Sequence, residues 1–408
     1  MFVLAPLKKP PVALLWSGQV VSAIGDELHR VALVWIAVGL LGRNAAYITA
    51  VQAAVVILLG LWGGWLADRL NPARTMIGAD LARAGVAMIL PIAVTVGTTQ
   101  TWQLYVTGIG LSLFGVMFNP ALQVSLARLV DTADALHALN GLMDGTRRLA
   151  RILGPGIVGG LALLIPLHHF FTVNAVTYVV SAATIFILGR QLGVGGAIGS
   201  AGSGGAWIET RHAVAWVARH RFLRFYLAGL ILTTAGWVAV FYLCLPLHLQ
   251  ETRGGDVGAF GLIIAAYGCA NIGVNLVLAS WPGTRPGVIM YLGRIALGLG
   301  YIGMALPWDW SLVLLSAAVA GAGGPMGELM FLILLRREVP PGMVGKVYSV
   351  RPIADSFGTL LGMLTAPWLL RYVDNAELMI GWGVAVVVLG AAGLWIFGGW
   401  RFRDGETG

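Results

Sequence analysis

Runs of about twenty apolar residues recur along the whole of this 408-residue chain. That recurrence restricts the possible folds more than any other feature. A helix needs about 20 apolar residues to cross the hydrocarbon core of a bilayer. Runs of this kind lie at roughly 12–40, 45–67, 75–97, 102–124, 139–165, 169–189, 223–247, 257–281, 287–306, 310–335, 345–370 and 378–400. Each predicts a helix, because only helices and closed barrels satisfy backbone polar groups in lipid, and the period-2 alternation of barrel strands is missing. Composition agrees, with 58% apolar and 11% charged residues, against about a quarter charged in soluble domains. A signal peptide or single anchor would not repeat in this way. The expectation is an all-α membrane protein with twelve transmembrane helices.

A net charge of +8 would suggest a nucleic-acid partner for a soluble protein. Here the basic residues sort by side of the membrane. With the N-terminus inside, Lys8, Lys9, Arg69, Arg74, Arg128, Arg147, Arg148, Arg151 and Arg190 fall on or near the cytoplasmic side, as do Arg211 to Arg224, Arg285, Arg336, Arg337, Lys346, Arg401 and Arg403. Only Arg43, Arg253 and Arg371 fall outside. This is the positive-inside pattern; it places both termini in the cytoplasm and requires an even number of spans.

The second half approximately repeats the first. An offset of 211 residues brings Gly18 onto Gly229, Gly25 onto Gly236, Arg74 onto Arg285 and Arg83 onto Arg294. Further on, Pro120 meets Pro325, Arg147 meets Arg351 and Gly154 meets Gly358, at offsets of 205 and 204. The repeat implies two pseudo-symmetric six-helix halves related by an axis along the membrane normal, with the substrate site near mid-membrane between them. The expected divisions are 1–190, a cytoplasmic linker over 191–222, and 223–408. Residues 193–206 are almost entirely Gly, Ser and Ala, the composition of a flexible tether. Residues 207–221 have helical character and carry basic residues, as expected of a surface helix on the anionic leaflet.

Ionisable residues within spans carry the functional signal, since an acid at mid-bilayer costs about 2.5–3.5 kcal/mol and faces a cavity or a partner. Helix 1 contains Asp26, Glu27, His29 and Arg30. Arg30 is one turn from Asp26 and placed to pair with it; His29 is placed to share its proton. Glu27 is rotated about 100° away, the step of a helix with 3.6 residues per turn. The positions equivalent to Asp26 and Glu27 are Trp237 and Val238, so the acids belong to one half only. Asp26, coupled to Glu27, is thus a candidate proton carrier: burial favours its protonated form and Arg30 its charged form. The ordinary alternative is a static Asp26–Arg30 pair. Arg294 and Glu328 are expected either to pair or to contact substrate, and Arg351 and Asp355, four residues apart, to form a gate.

Gly64, Asp68, Arg69 and Arg74 resemble the acid–base skeleton of the loop between helices 2 and 3 in the major facilitator superfamily. The resemblance implies that fold, with Asp68 latching the start of helix 11 near Val347–Arg351, through an acid-to-helix-dipole contact. It further implies that Asp80 pairs with Arg69 or Arg147, and that Arg83 belongs to the same gating region. The sequence departs from the motif at Asn71-Pro72-Ala73, which leaves the latch less charged. Gly154-Pro155-Gly156, followed by Gly159-Gly160, looks like the helix 5 motif of the superfamily's drug–proton antiporters. There proline kinks the helix and Gly156 and Gly160 form a small-residue face. Together with Asn119-Pro120 in helix 4, the chain is most similar to the branch holding macrolide efflux pumps and the enterobactin exporter. A bacterial inner-membrane location and a monomer follow from that resemblance.

Other chemistry is excluded. Without a Walker loop there is no ATP drive. Cys244 and Cys269 lie within spans and imply no disulfide framework, and no zinc-type Cys/His spacing or Ser/His/Asp arrangement occurs. An enzyme, a metal site and an organic cofactor are therefore not expected, and a proton gradient is the energy source. The leading expectation is a proton-coupled exporter of amphipathic small molecules, its cavity lined by Trp35, Asn119, Gln123, Trp237, Tyr242, Arg294 and Glu328. The alternatives are a dedicated siderophore or metabolite exporter and a lysophospholipid flippase.

Overall fold

The computed structural model describes residues 6–161, 164–192, 216–252, 257–280, 285–307, 309–348 and 350–397. Twelve long helices account for most of them. In the first unit, α1 is Pro10–Leu41, α2 Ala46–Arg69, α3 Pro72–Ala87 continued by Ile89–Val96, α4 Thr101–Leu129, α5 Ala133–Leu161 and α6 His168–Leu192. In the second, α7 is Arg221–Ala239, carried through a π turn at Val240–Cys244 into Leu245–Thr252. There follow α8 Val257–Ser280, α9 Pro286–Ala305, α10 Trp310–Glu338, α11 Val350–Leu369 (after a short helix, Pro341–Tyr348) and α12 Asn375–Phe397. The chain divides into compact units at residues 1–200 and 201–408.

Length and hydropathy alone pick out nine membrane-crossing stretches among the described residues. The difference from twelve has a simple cause. One 50-residue stretch, Pro10–Leu59, runs through both α1 and α2, because only the short 3-10 turn Gly42–Ala45 separates them. Two further helices, α5 and α11, are not among the nine; both carry charged residues, among them Asp144, Arg147, Arg151, Arg351 and Asp355.

Packing within the units follows one scheme. In the first, α1 lies against α5 and α6, α2 against α4, and α3 against α4 and α6. In the second, α7 lies against α11 and α12, α8 against α10, and α9 against α10 and α12. The sequence repeat is therefore also a repeat of helix neighbours. The repeated glycines explain part of it. A Cβ at Gly25 would clash with Asn174 and Thr177 of α6, and one at Gly236 would press on Trp382 of α12. Small residues allow close approach of helices in lipid, where packing replaces the hydrophobic drive.

Local chemistry sets the helix ends. Asn71 caps α3, its side chain accepting from the Arg74 amide at 3.2 Å, with Pro72 in the first turn. The departure Asn71-Pro72-Ala73 from the loop motif thus builds a helix start, since Asn accepts an orphan amide and Pro has none to satisfy. Asn71→Ala should lower stability by about 1 kcal/mol, seen as a lower thermal midpoint of the purified protein. The continuation of α3 ends at Gly97, with φ +72°, a left-handed stop that favours glycine. In α7 the π turn ends at Cys244, two residues before Pro246. Pro246 has no amide to donate back along the helix, and the widened turn absorbs that break.

At the start of the first unit, Lys9 Nζ lies 2.5 Å from Asp131 Oδ2. This contact holds the exposed Asp131 carboxyl below the usual carboxylate range. A lowered acid contributes stability at neutral pH and loses it as pH falls through the lowered value. The tether between the start of α1 and the α4–α5 loop is therefore expected to release in acid and to weaken with salt.

Candidate functional site

Two buried polar clusters meet helix α1 in the first unit, on the two faces that Asp26 and Glu27 occupy. On the Asp26 face, the Tyr178 hydroxyl of α6 donates to Asp26 Oδ1. The Tyr178 ring lies 4.6 Å from the Arg83 guanidinium of α3, which also covers Phe118 of α4 at 4.3 Å. Arg83 pairs with Asp80, one turn back on α3. Asp80 is fully buried, interacts with the Ser181 hydroxyl and lies within electrostatic reach of Asp26. Gln19 of α1 closes the cluster by donating to Ser181 at 3.0 Å.

On the other face, Arg30 Nη1 donates to both Glu27 oxygens at 2.9 Å, and Arg151 Nε of α5 stands 3.9 Å from Glu27 Oε1. Glu27 is buried between them. Gly154, the first residue of the antiporter-type motif, lies directly against it: a Cβ there would fall inside contact distance of Glu27 Cβ and 3.2 Å from its Cγ. Gly154 therefore opens the space that the ion-paired Glu27 occupies.

Several expected pairings differ. Arg30 joins Glu27, and Asp26 joins Tyr178; i+3 and i+4 are equally near along a helix, and the neighbouring helices decided between them. Asp80 pairs with Arg83, not with Arg147, whose partner is Asp144 at 3.0 Å. His29 is buried edge-on against Phe171, ring centroids 4.7 Å apart, with neither ring nitrogen hydrogen-bonded among the described residues. It does not share a proton with Asp26 in this arrangement. The side chains of Gly64, Asp68, Arg69, Pro155, Gly156, Gly159 and Gly160 lie outside the described ones, as do residues 193–215 of the linker.

Tyr178 and Ser181 were missed from sequence, although a signal existed. Asn174, Thr177, Tyr178, Ser181 and Thr184 recur at helical spacing, a polar stripe along an otherwise apolar α6. The first four are buried. A polar stripe on a membrane helix faces protein, and here it faces Gly18 and Gly25 of α1.

In the second unit, Arg351 of α11 donates to Glu328 of α10 at 2.9 Å and stands 3.9 Å from Asp355, which accepts from Thr234 of α7 at 2.9 Å. Arg351 and Asp355 thus lie within reach of each other, with Glu328 as a third member. Arg294 does not pair with Glu328. It is 5% exposed, donates to the Tyr226 carbonyl at 3.3 Å, and lies over the Tyr226 and Tyr291 rings at 5.2 and 5.7 Å. Trp237 donates to the Tyr267 hydroxyl at 3.2 Å and lies edge-on to Tyr242, centroids 5.3 Å apart. Both are half-buried, Trp35 is buried, and Asn119 and Gln123 sit one turn apart on an exposed face of α4. Among the described residues no His, Cys, Asp and Glu cluster could hold a metal ion.

The sequence profile of the Major Facilitator Superfamily matches residues 15–309. An uncharacterized MFS-type transporter, YfiS of Bacillus subtilis, is 25% identical over 92% of this chain and 90% of its own. The multidrug resistance protein MdtH of Yersinia enterocolitica is 28% identical over 41% of this chain and 37% of its own. Among solved structures, a peptide transporter of the POT family superposes with a TM-score of 0.72 at 15% identity, covering 94% of this chain and 93% of that one.

Proposed function

Because this chain belongs to the major facilitator superfamily, and is a multi-pass secondary transporter and not an enzyme, we propose that it is a proton-coupled exporter of amphipathic small molecules. In this reading it works by alternating access in a bacterial inner membrane, with both termini cytoplasmic. Asp26 is the acid that takes up and releases the proton. One observation carries the reading: α1 holds two adjacent acids with different surroundings. Glu27 is buried and is the counter-ion of Arg30 and Arg151, so protonating it would give up its charge-assisted contacts to both. Asp26 is half-exposed and accepts from a neutral hydroxyl, so it gains and loses a proton at less cost. The positions equivalent to these acids in the second half are Trp237 and Val238. The partial likeness to MdtH, a multidrug resistance protein, supports export of amphipathic compounds.

The second-unit triad is read as a gate. Glu328→Gln should slow the cycle while leaving substrate binding intact. Separate measurements of transport rate and of dye binding to detergent-purified protein check this; weakened dye binding would reassign Glu328 to the substrate site. The primary test of the whole reading is dye efflux by inverted vesicles under an imposed pH gradient. Wild type should drive efflux. Transport independent of the gradient would refute proton coupling.

A further inference from the structure

The repeat separates what the fold needs from what the first half adds. Arg83 and Arg294 are equivalent, and both lie buried over aromatic rings: Phe118 and Tyr178 in one unit, Tyr226 and Tyr291 in the other. The acids are not retained. Asp26 becomes Trp237 and Asp80 becomes Tyr291. Arg294 makes no ion pair among the described residues and remains buried, held by ring faces and the Tyr226 carbonyl. This architecture thus holds a guanidinium without a carboxylate, so neutralising Arg83 is not what demands Asp80.

The groups around Asp80 leave a charge over. Its own helix supplies Arg83, α6 supplies Tyr178 and Ser181, α1 supplies Asp26 and Gln19, and α4 supplies the Phe118 ring beneath Arg83. Arg30 and Arg151 are engaged by Glu27 on the other face of α1. Two carboxylates within electrostatic reach of each other therefore share the neighbourhood of one guanidinium, which pairs with Asp80, and among the described residues Asp80 Oδ2 is buried with no hydrogen-bond partner. In a site of low dielectric an unmatched negative charge is expensive, and two acids in reach of each other hold a proton as a pair.

We propose that Asp80 is a second proton-binding carboxylate, sharing one exchangeable proton with Asp26 around Arg83 as common counter-ion. When Asp26 carries the proton, Asp80 is ionised and holds Arg83, in keeping with the Asp80–Arg83 contact. When Asp80 carries it, the Arg83 charge is left to Asp26. Each transfer breaks one O–H bond and forms another, and half-exposed Asp26 exchanges the proton with water. The inference rests on the proton-coupled reading for its consequence in transport, but not for its test.

That test is acid-minus-alkaline difference infrared spectroscopy on the full chain in detergent, without substrate or gradient, following the carboxylic C=O band. The band should move in Asp80→Glu, because aspartic and glutamic acids absorb at different frequencies, and its position-80 part should vanish in Asp80→Asn. It should also vanish in Asp26→Asn, since a single acid then balances Arg83. Superimposable spectra for wild type and Asp80→Glu would overturn the proposal, as would a position-80 band that survives in Asp26→Asn. Asp80→Glu keeps a carboxyl at the position and assigns the band, and the Asp26→Asn arm then decides the sharing, since it leaves Asp80 in place. Absence of a position-80 band from wild type, together with loss of gradient-driven efflux in Asp26→Asn, would refute only the sharing. A shared proton with no gradient-driven efflux would refute only the coupling.

Discussion

Asp26→Asn should reduce gradient-driven efflux to the background of vesicles lacking the protein, while leaving the protein folded and able to bind dye. The amide oxygen of asparagine still accepts from the Tyr178 hydroxyl, so the α1–α6 contact survives. The substitution also removes one of the two carboxylates near Arg83 and relieves the surplus charge there. The thermal midpoint should therefore stay at or above that of wild type. What is lost is the one acid on α1 that exchanges a proton without giving up charge-assisted contacts to a guanidinium. Wild-type efflux rates from Asp26→Asn in inverted vesicles would refute its role as proton carrier. Lost efflux together with a collapsed thermal midpoint would reduce Asp26 to a structural residue.

Gly154→Val should be the most damaging single change in α5. Its side chain would occupy space already filled by Glu27 Cβ and Cγ. The contact is close to the backbone of both helices, so no flexible side-chain end can swing away. Overpacking of this kind costs about 1–3 kcal/mol. Displacing Glu27 from Arg30 and Arg151 adds to that, because the buried Glu27 carboxylate would lose its partners. A lowered thermal midpoint and loss of efflux should appear together. Gly145→Ala is the matched control: it lies on the same helix, and an added Cβ meets nothing within 4 Å. It should be neutral or slightly stabilising, since alanine is favoured over glycine inside a helix by about 1 kcal/mol. Equal midpoints for Gly154→Val and wild type would show that α5 does not depend on this contact.

These two residues mark where the sequence was legible. Asp26 stood out because charge within an apolar run is rare and costly, a property of the run alone. Gly154 stood out through its motif, but that it faces Glu27 depends on how α5 is rotated against α1. The polar stripe on α6 was visible as a period but had no partner until α1 was placed beside it. The Asn71-Pro72 departure leaves the loop less charged, and only the structure shows that it also caps α3, because the geometry of a chain reversal depends on backbone conformation as well as on charge.

The sequence by itself determined the helical membrane fold, the two-fold repeat and the absence of a second-half counterpart to Asp26 and Glu27. Hydropathy, helical period and repeat offset are properties of segments, and lipid leaves a segment of twenty apolar residues few alternatives. Only the tertiary structure decided the pairings: Arg30 with Glu27, Tyr178 with Asp26, Arg83 with Asp80, and Arg351 with Glu328. Along a helix several partners are equally near, so the choice among them falls to the rotation and contact of neighbouring helices, which are set by shape in three dimensions.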